Sequence, residues 1–126
     1  MTERELPIRV LLVEDNEVYR ESLVFLLGAR AGLDVAGAAA DGASAVRACR
    51  ELQPDVVVLD YRLPDVDGAT VVEDLEADGS RAAIVFLSAS AGRAEYDAAS
   101  SAGAALVRKD EGIDVLVRAI RAAAGR

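Results

Sequence analysis

Five apolar runs, each of strand length and each followed by a stretch with helical spacing, constrain this chain more than any other feature. The runs are "IRVLLV" (8–13), "DVAGAA" (34–39), "DVVVL" (55–59), "AAIVFL" (82–87) and "AALV" (104–107). Between them, 16–29, 43–53, 68–77 and 92–101 repeat apolar residues at helical intervals, and "GIDVLVRAIRAAA" (112–124) closes the alternation. In that last segment Val115, Leu116, Ala119, Ile120 and Ala123 fall on one stripe. Near-continuous apolar strands joined through helices predict an α/β fold with a doubly wound parallel sheet buried on both faces. Gly32, Gly42, Gly68, Gly103 and Gly112 stand at the junctions, where turns require them. No linker or second pattern interrupts the rhythm, so residues 1–126 read as a single domain with its core over about 8–124.

Other classes are excluded quickly. No apolar run approaches the ~18–20 residues of a membrane span. Residues Met1 to Arg9 lack the apolar segment of a secretory signal. The single cysteine, Cys49, has no internal disulfide partner, which fits a reducing cytoplasm. Its helical spacing with Val46 favours a buried core thiol over a reactive one. Against 22 acidic residues stand 14 basic ones, and the net charge of -8 argues against direct nucleic-acid binding by this chain. Histidine is absent, which removes histidine-based triads, most zinc sites and self-phosphorylation on histidine.

In an open parallel sheet the functional site lies beyond the carboxyl ends of the strands. Glu14 and Asp15 follow strand 1, Asp60 follows strand 3, Ser88 follows strand 4 and Lys109 follows strand 5. Strand 2 offers only Ala40 and Asp41. Three carboxylates so placed repel one another above apolar strands that cannot screen them. Lys109 and a bound divalent cation are the available compensations. All-oxygen ligands favour a hard ion, and magnesium suits a site shared with water and phosphate. Serine and lysine add donors for an anion. The set reads as a metal-assisted phosphoryl site in which an aspartate is either nucleophile or ligand.

Each residue also has a plainer reading. Glu14 and Asp15 could merely cap the helix starting near Asn16. Ser88 could be a loop hydroxyl, and Lys109 with Asp110 a solvated surface pair. Arg118, Arg121 and Arg126 read as a solvated face of the last helix. An EF-hand fails, because with Asp65, Asp67 and Gly68 in loop register the outer ligand positions hold Leu63 and Asp74. There is no Walker or dinucleotide glycine fingerprint.

Taken together, "LLVEDNEVYRESL", "VVVLDYRLPDVDG", "VFLSAS" and "ALVRKD" resemble, in order, the motifs of bacterial response-regulator receiver domains, the CheY-like phosphorylated half of two-component signalling. The resemblance covers residues 8 to 124 and implies a five-stranded, flavodoxin-like (βα)5 sheet of order 2-1-3-4-5. It implies that Asp60 is the phosphoacceptor, and that Asp15, Asp60 and the backbone carbonyl of Arg62 ligate magnesium, with Glu14 acting through water. Ser88 and Lys109 would bind phosphoryl oxygens, and the small Ala89 would leave a phosphodonor room to approach. Gly68 would serve the turn after strand 3, and Pro64 would shape the loop holding Arg62. The partner implied is a histidine kinase. Such a domain catalyses only its own phosphorylation and dephosphorylation. Haloacid dehalogenase phosphatases, which also form an aspartyl phosphate, need a second acid where this chain has Arg62. A receiver-like interaction module that is not phosphorylated is the alternative.

"VAGAAADGASAV" and Asp110 after the lysine are similar to receivers of NarL/FixJ (LuxR-type) transcription factors. Those place a helix-turn-helix domain behind the last helix; residues 1–126 contain no DNA-binding domain, and such an output domain is expected only if the chain continues past Arg126. Pairing of two copies through the last two helices is a further expectation. Leu106 departs from the family, which usually has Tyr or Phe at this switch position. The ring rotation that reports phosphorylation therefore has no counterpart here.

Overall fold

The computed structural model describes residues 6–90 and 92–126. Strands and helices alternate as β1 (Ile8–Val13), α1 (Glu17–Gly28), β2 (Leu33–Ala39), α2 (Gly42–Leu52), β3 (Val56–Asp60), α3 (Gly68–Ala77), β4 (Ala83–Ser88), α4 (Arg93–Ala102), β5 (Ala105–Arg108) and α5 (Ile113–Ala123). The strands form one parallel sheet in the order β2-β1-β3-β4-β5, the flavodoxin-like arrangement. Helices cover both faces. Val10, Leu12 and Val58 pack with Leu23 and Leu27 of α1 and Leu116, Val117 and Ile120 of α5. Leu11, Val13, Val57, Leu59 and Phe86 pack on the other face with Cys49 of α2, Val71 and Leu75 of α3 and Ala99 of α4. Successive strand residues point to opposite faces, and both faces are buried, so the strands show no polar alternation.

β3, β4 and β5 each run one residue beyond their apolar runs, to Asp60, Ser88 and Arg108. Ladder pairing uses backbone groups and is indifferent to side-chain polarity: Asp60 pairs with Leu87, and Ser88 with Arg108. The polar side chains thus stand on the last rungs of the sheet rather than on loops, which fixes their positions. A 3₁₀ turn, Lys109–Glu111, follows β5 and was not legible as a separate element. Glu111 accepts the Arg108 amide at 2.8 Å, and Gly112, at φ 91°, then turns the chain into α5.

Arg118, Arg121 and Arg126 are all exposed, as the solvated-face reading expects. Arg121 also donates to the Ala31 carbonyl at 2.9 Å, and Arg126, just past α5, donates to that of Leu6. Among the described residues no helix is long and apolar enough to cross a membrane.

Gly68 opens α3 where there is no room for a side chain. A Cβ there would lie 2.7 Å from the Phe86 ring and 3.0 Å from the Tyr61 Cα. Phe86 is fully buried and meets Tyr61 edge-on, with ring centroids 5.9 Å apart, so neither can retreat freely. Gly68→Ala is expected to destabilise the domain by about 1–3 kcal/mol, as overpacking does. Urea unfolding measures this, and a loss below about 0.5 kcal/mol would show that the ring gives way.

Candidate functional site

The acid pair divides. Glu14 continues the line of β1, donating its amide to Ala39 O at 3.0 Å, and its side chain is wholly buried. Asp15, the next residue, is exposed. The cap of α1 is Asn16, whose side chain accepts the Tyr19 amide at 2.9 Å. Glu14 contributes only by accepting the Asn16 amide at 3.2 Å. Helix capping therefore does not account for the pair.

Asp60 is 4% exposed. Its Oδ1 accepts the Arg62 amide at 3.1 Å, and its Oδ2 accepts Lys109 Nζ at 3.0 Å. The same ammonium donates to Glu14 Oε1 at 2.5 Å and sits 4.9 Å from the centroid of the Tyr19 ring. Lys109 is thus held by two carboxylates and an aromatic face, which excludes the solvated-pair reading. Asp110 pairs instead with Arg108 at 3.2 Å. Burial alone would lower the Lys109 pKa, but hydrogen bonds and charge attraction from Glu14 and Asp60 outweigh it and hold the pKa above the ordinary lysine value.

A cavity of about 220 Å³ is lined by Asp15, Asp60, Arg62, Ser88, Ala89, Ser90 and Lys109. Asp15, Asp60, Arg62, Ser88, Ala89 and Lys109 line it as expected from the sequence, whereas Glu14 and Leu106 do not. Ser88 is buried; its hydroxyl donates to the Ser90 carbonyl and accepts the Ser90 amide at 3.3 Å. Carboxylate oxygens of Glu14, Asp15 and Asp60 lie within 4.8 Å of one another. Three carboxylates against one ammonium leave net negative charge, and the oxygen donors fit a hard divalent ion such as magnesium. Leu106 is half-buried on β5, paired in register with Phe86 and packed toward the α2–α3–α4 face. Cys49 is a core thiol, its pKa pushed up by burial to about 11.

Four features escaped sequence reasoning. Tyr19 packs its ring on the lysine. Asp65 accepts the Gly42 and Ala43 amides at 2.8 and 3.1 Å, tying the loop after β3 to the start of α2. Glu95 is a buried acid on α4, paired with Arg62. Val18 and Phe25, each 75% exposed, sit seven positions apart on α1 and so share one solvent face beside the acids. The last was visible in principle, as apolar residues off the core stripe of α1.

A family model described as the response regulator receiver domain matches residues 10–121. The nitrate/nitrite response regulator protein NarP of Escherichia coli (strain K12) is 34% identical over 94% of this chain and 55% of its own length. A protein-glutamate methylesterase/protein-glutamine glutaminase 2 of Anaeromyxobacter dehalogenans (strain 2CP-C) is 43% identical over 57% of this chain. The chain spans only 21% of that relative's length in the match. Among solved structures, the signal receiver domain of the putative response regulator NarL from Mycobacterium tuberculosis superposes with a TM-score of 0.87 at 32% identity, over 97% of this chain and 100% of that one.

Removing the shared ammonium leaves two buried carboxylates facing each other. In chelator, Lys109→Met should cost about 2–4 kcal/mol, just under the range for breaking a buried pair because Lys109 is partly exposed. The raised lysine pKa sets the pH window. The stabilisation is complete below the unfolded lysine value of ~10.4 and is lost as pH rises through the higher folded value. Urea unfolding of both proteins from pH 7 to 11.5 should show a gap that is constant to about pH 10 and then narrows. A gap near zero at pH 7 would contradict the assignment.

Proposed function

This chain belongs to the response regulator receiver domain family of two-component signalling, and from that premise we propose that it accepts a phosphoryl group on Asp60 from a histidine kinase. The observation that carries the proposal is the Asp60 carboxylate itself. It is fixed on the last rung of β3, opens to the cavity, and is hydrogen-bonded to Lys109 at 3.0 Å.

One Asp60 oxygen forms a bond to phosphorus as the donor's bond to phosphorus breaks. With phosphohistidine the ring nitrogen keeps the electron pair; with acetyl phosphate, acetate leaves. Lys109 lies where it can pass from the Asp60 carboxylate to a phosphoryl oxygen. Ser88 can donate to another by releasing the Ser90 carbonyl. Ala89 presents little bulk at the mouth. Asp15, Asp60 and the Arg62 carbonyl would hold magnesium, with Glu14, set back from the cavity, acting through water. Bound there, the ion neutralises charge on the transferring phosphoryl group. Reversal to the resting state is attack of water on the same phosphorus, with Asp60 leaving. The chemistry is thus done by the domain on itself.

The exposed apolar face of α1 beside the acids supports docking of the kinase there. Phosphorylation would then alter the surface of α4, β5 and α5, which controls an output domain or partner, or the pairing of two copies through α4 and α5. The resemblance to NarL-type regulators supports transcription regulation in the cytoplasm as the setting.

Incubation with acetyl phosphate and magnesium should add one phosphoryl group, seen by intact-mass spectrometry, with none on Asp60→Asn or on wild type in chelator. Equal labelling of the Asn variant would exclude Asp60. Absence of labelling under all conditions would favour the unphosphorylated interaction module.

A further inference from the structure

Among the described residues the fold buries four polar or charged side chains, Glu14, Asp60, Ser88 and Glu95. The first three belong to the site; Glu95 does not. It is the third residue of α4, and its side chain is 4% exposed. Its counter-charge is Arg62 Nη2 at 3.4 Å, from a side chain 77% exposed and 33 positions earlier. The carboxylate folds back over the start of its own helix: a Cβ on Gly92, the N-cap, would lie 2.7 Å from Glu95 Oε2. No side chain caps that end of α4. Glu95 therefore sits where the helix dipole favours an anion, and Arg62 ties that first turn to the loop after β3.

Arg62 is also a wall of the phosphoacceptor cavity, and its amide already donates to Asp60. The pair is unequal. The guanidinium itself loses little by leaving, while the buried Glu95 carboxylate loses its counter-charge, a cost that the dipole at the start of α4 offsets in part. Arg62 stays on Glu95 until a better anion appears within reach. A phosphoryl group on Asp60 is that anion, because it carries more charge and matches the planar fork of donors on guanidinium.

We infer that Glu95 is a positioning residue for Arg62, and that Arg62 exchanges partners when Asp60 is phosphorylated. The guanidinium passes from Glu95 to the phosphoryl oxygens, and the first turn of α4 loses its tie to the β3–α3 loop. The inference rests on the reading of Asp60 as phosphoacceptor. It supplies a route from the site to α4 that does not need an aromatic ring at position 106. Both states differ by a discrete change of ion-pair partner, the kind of element through which a local charge biases a distant surface.

The test is a double-mutant cycle in which the ligand is beryllofluoride with magnesium, a phosphoryl mimic, with binding followed by amide NMR. Glu95→Gln should bind at least about 5-fold more tightly than wild type, since Arg62 is no longer competed for. Arg62→Ala should bind more weakly, and in that background Glu95→Gln should change affinity less than about 2-fold. Arg62→Lys, a change at an exposed site, should also weaken binding, because ammonium lacks the fork. A second readout needs no ligand. In chelator, hydrogen exchange of the first-turn amides of α4 should be faster in Arg62→Ala than in wild type. Independent effects of the two substitutions, or unchanged α4 exchange in Arg62→Ala, would overturn the inference while leaving Asp60 as acceptor. Failure of wild type to bind beryllofluoride would overturn both.

Discussion

One ammonium shared between two buried carboxylates organises this domain. Lys109 reaches Glu14 at 2.5 Å and Asp60 at 3.0 Å, and so joins the ends of β1, β3 and β5. Without it, the sheet would present concentrated negative charge above a wholly apolar core. With it, part of that charge is offset, while Asp15 stays exposed as a further acid at the same edge. The same contact places a positive charge beside Asp60, the carboxylate proposed as phosphoacceptor.

The surrounding elements follow from that need for fixed positions. Asp60 and Ser88 stand on ladder rungs, so their backbones move only if the sheet does. Arg62 and Ala89 stand on the loops just past those rungs and are exposed. The rigid members of the cavity are therefore Asp60 and Ser88, and the adaptable ones are at its mouth. Asp65, holding the α2 amides, limits how far the loop carrying Arg62 can shift.

Much of this was legible in the sequence, for identifiable reasons. Apolar strands buried on both faces leave an unmistakable run, and polar residues just past those runs mark the carboxyl edge. The runs end one residue early at Asp60, Ser88 and Arg108, because hydropathy stops at the last apolar side chain while backbone pairing continues. Which of two adjacent acids turns inward was not legible; the strand period of β1 carried on into Glu14 and put Asp15 outside. Glu95 was hidden because "RAEYDAASSA" reads as a solvated helix. Its only signal is position, one turn before the buried Ala99 on the same face. Arg62 was weighed for its carbonyl alone, since a side-chain partner 33 residues away leaves no local pattern.

The ammonium shared by the two buried acids lies 95 residues after the first of them. During synthesis, the N-terminal strands and both buried acids leave the ribosome well before Lys109 does. Until β5 and its turn have emerged, a partly made chain carries an acidic edge without this counter-charge, so the ends of β1 and β3 gain their shared tie only when the last strand is in place.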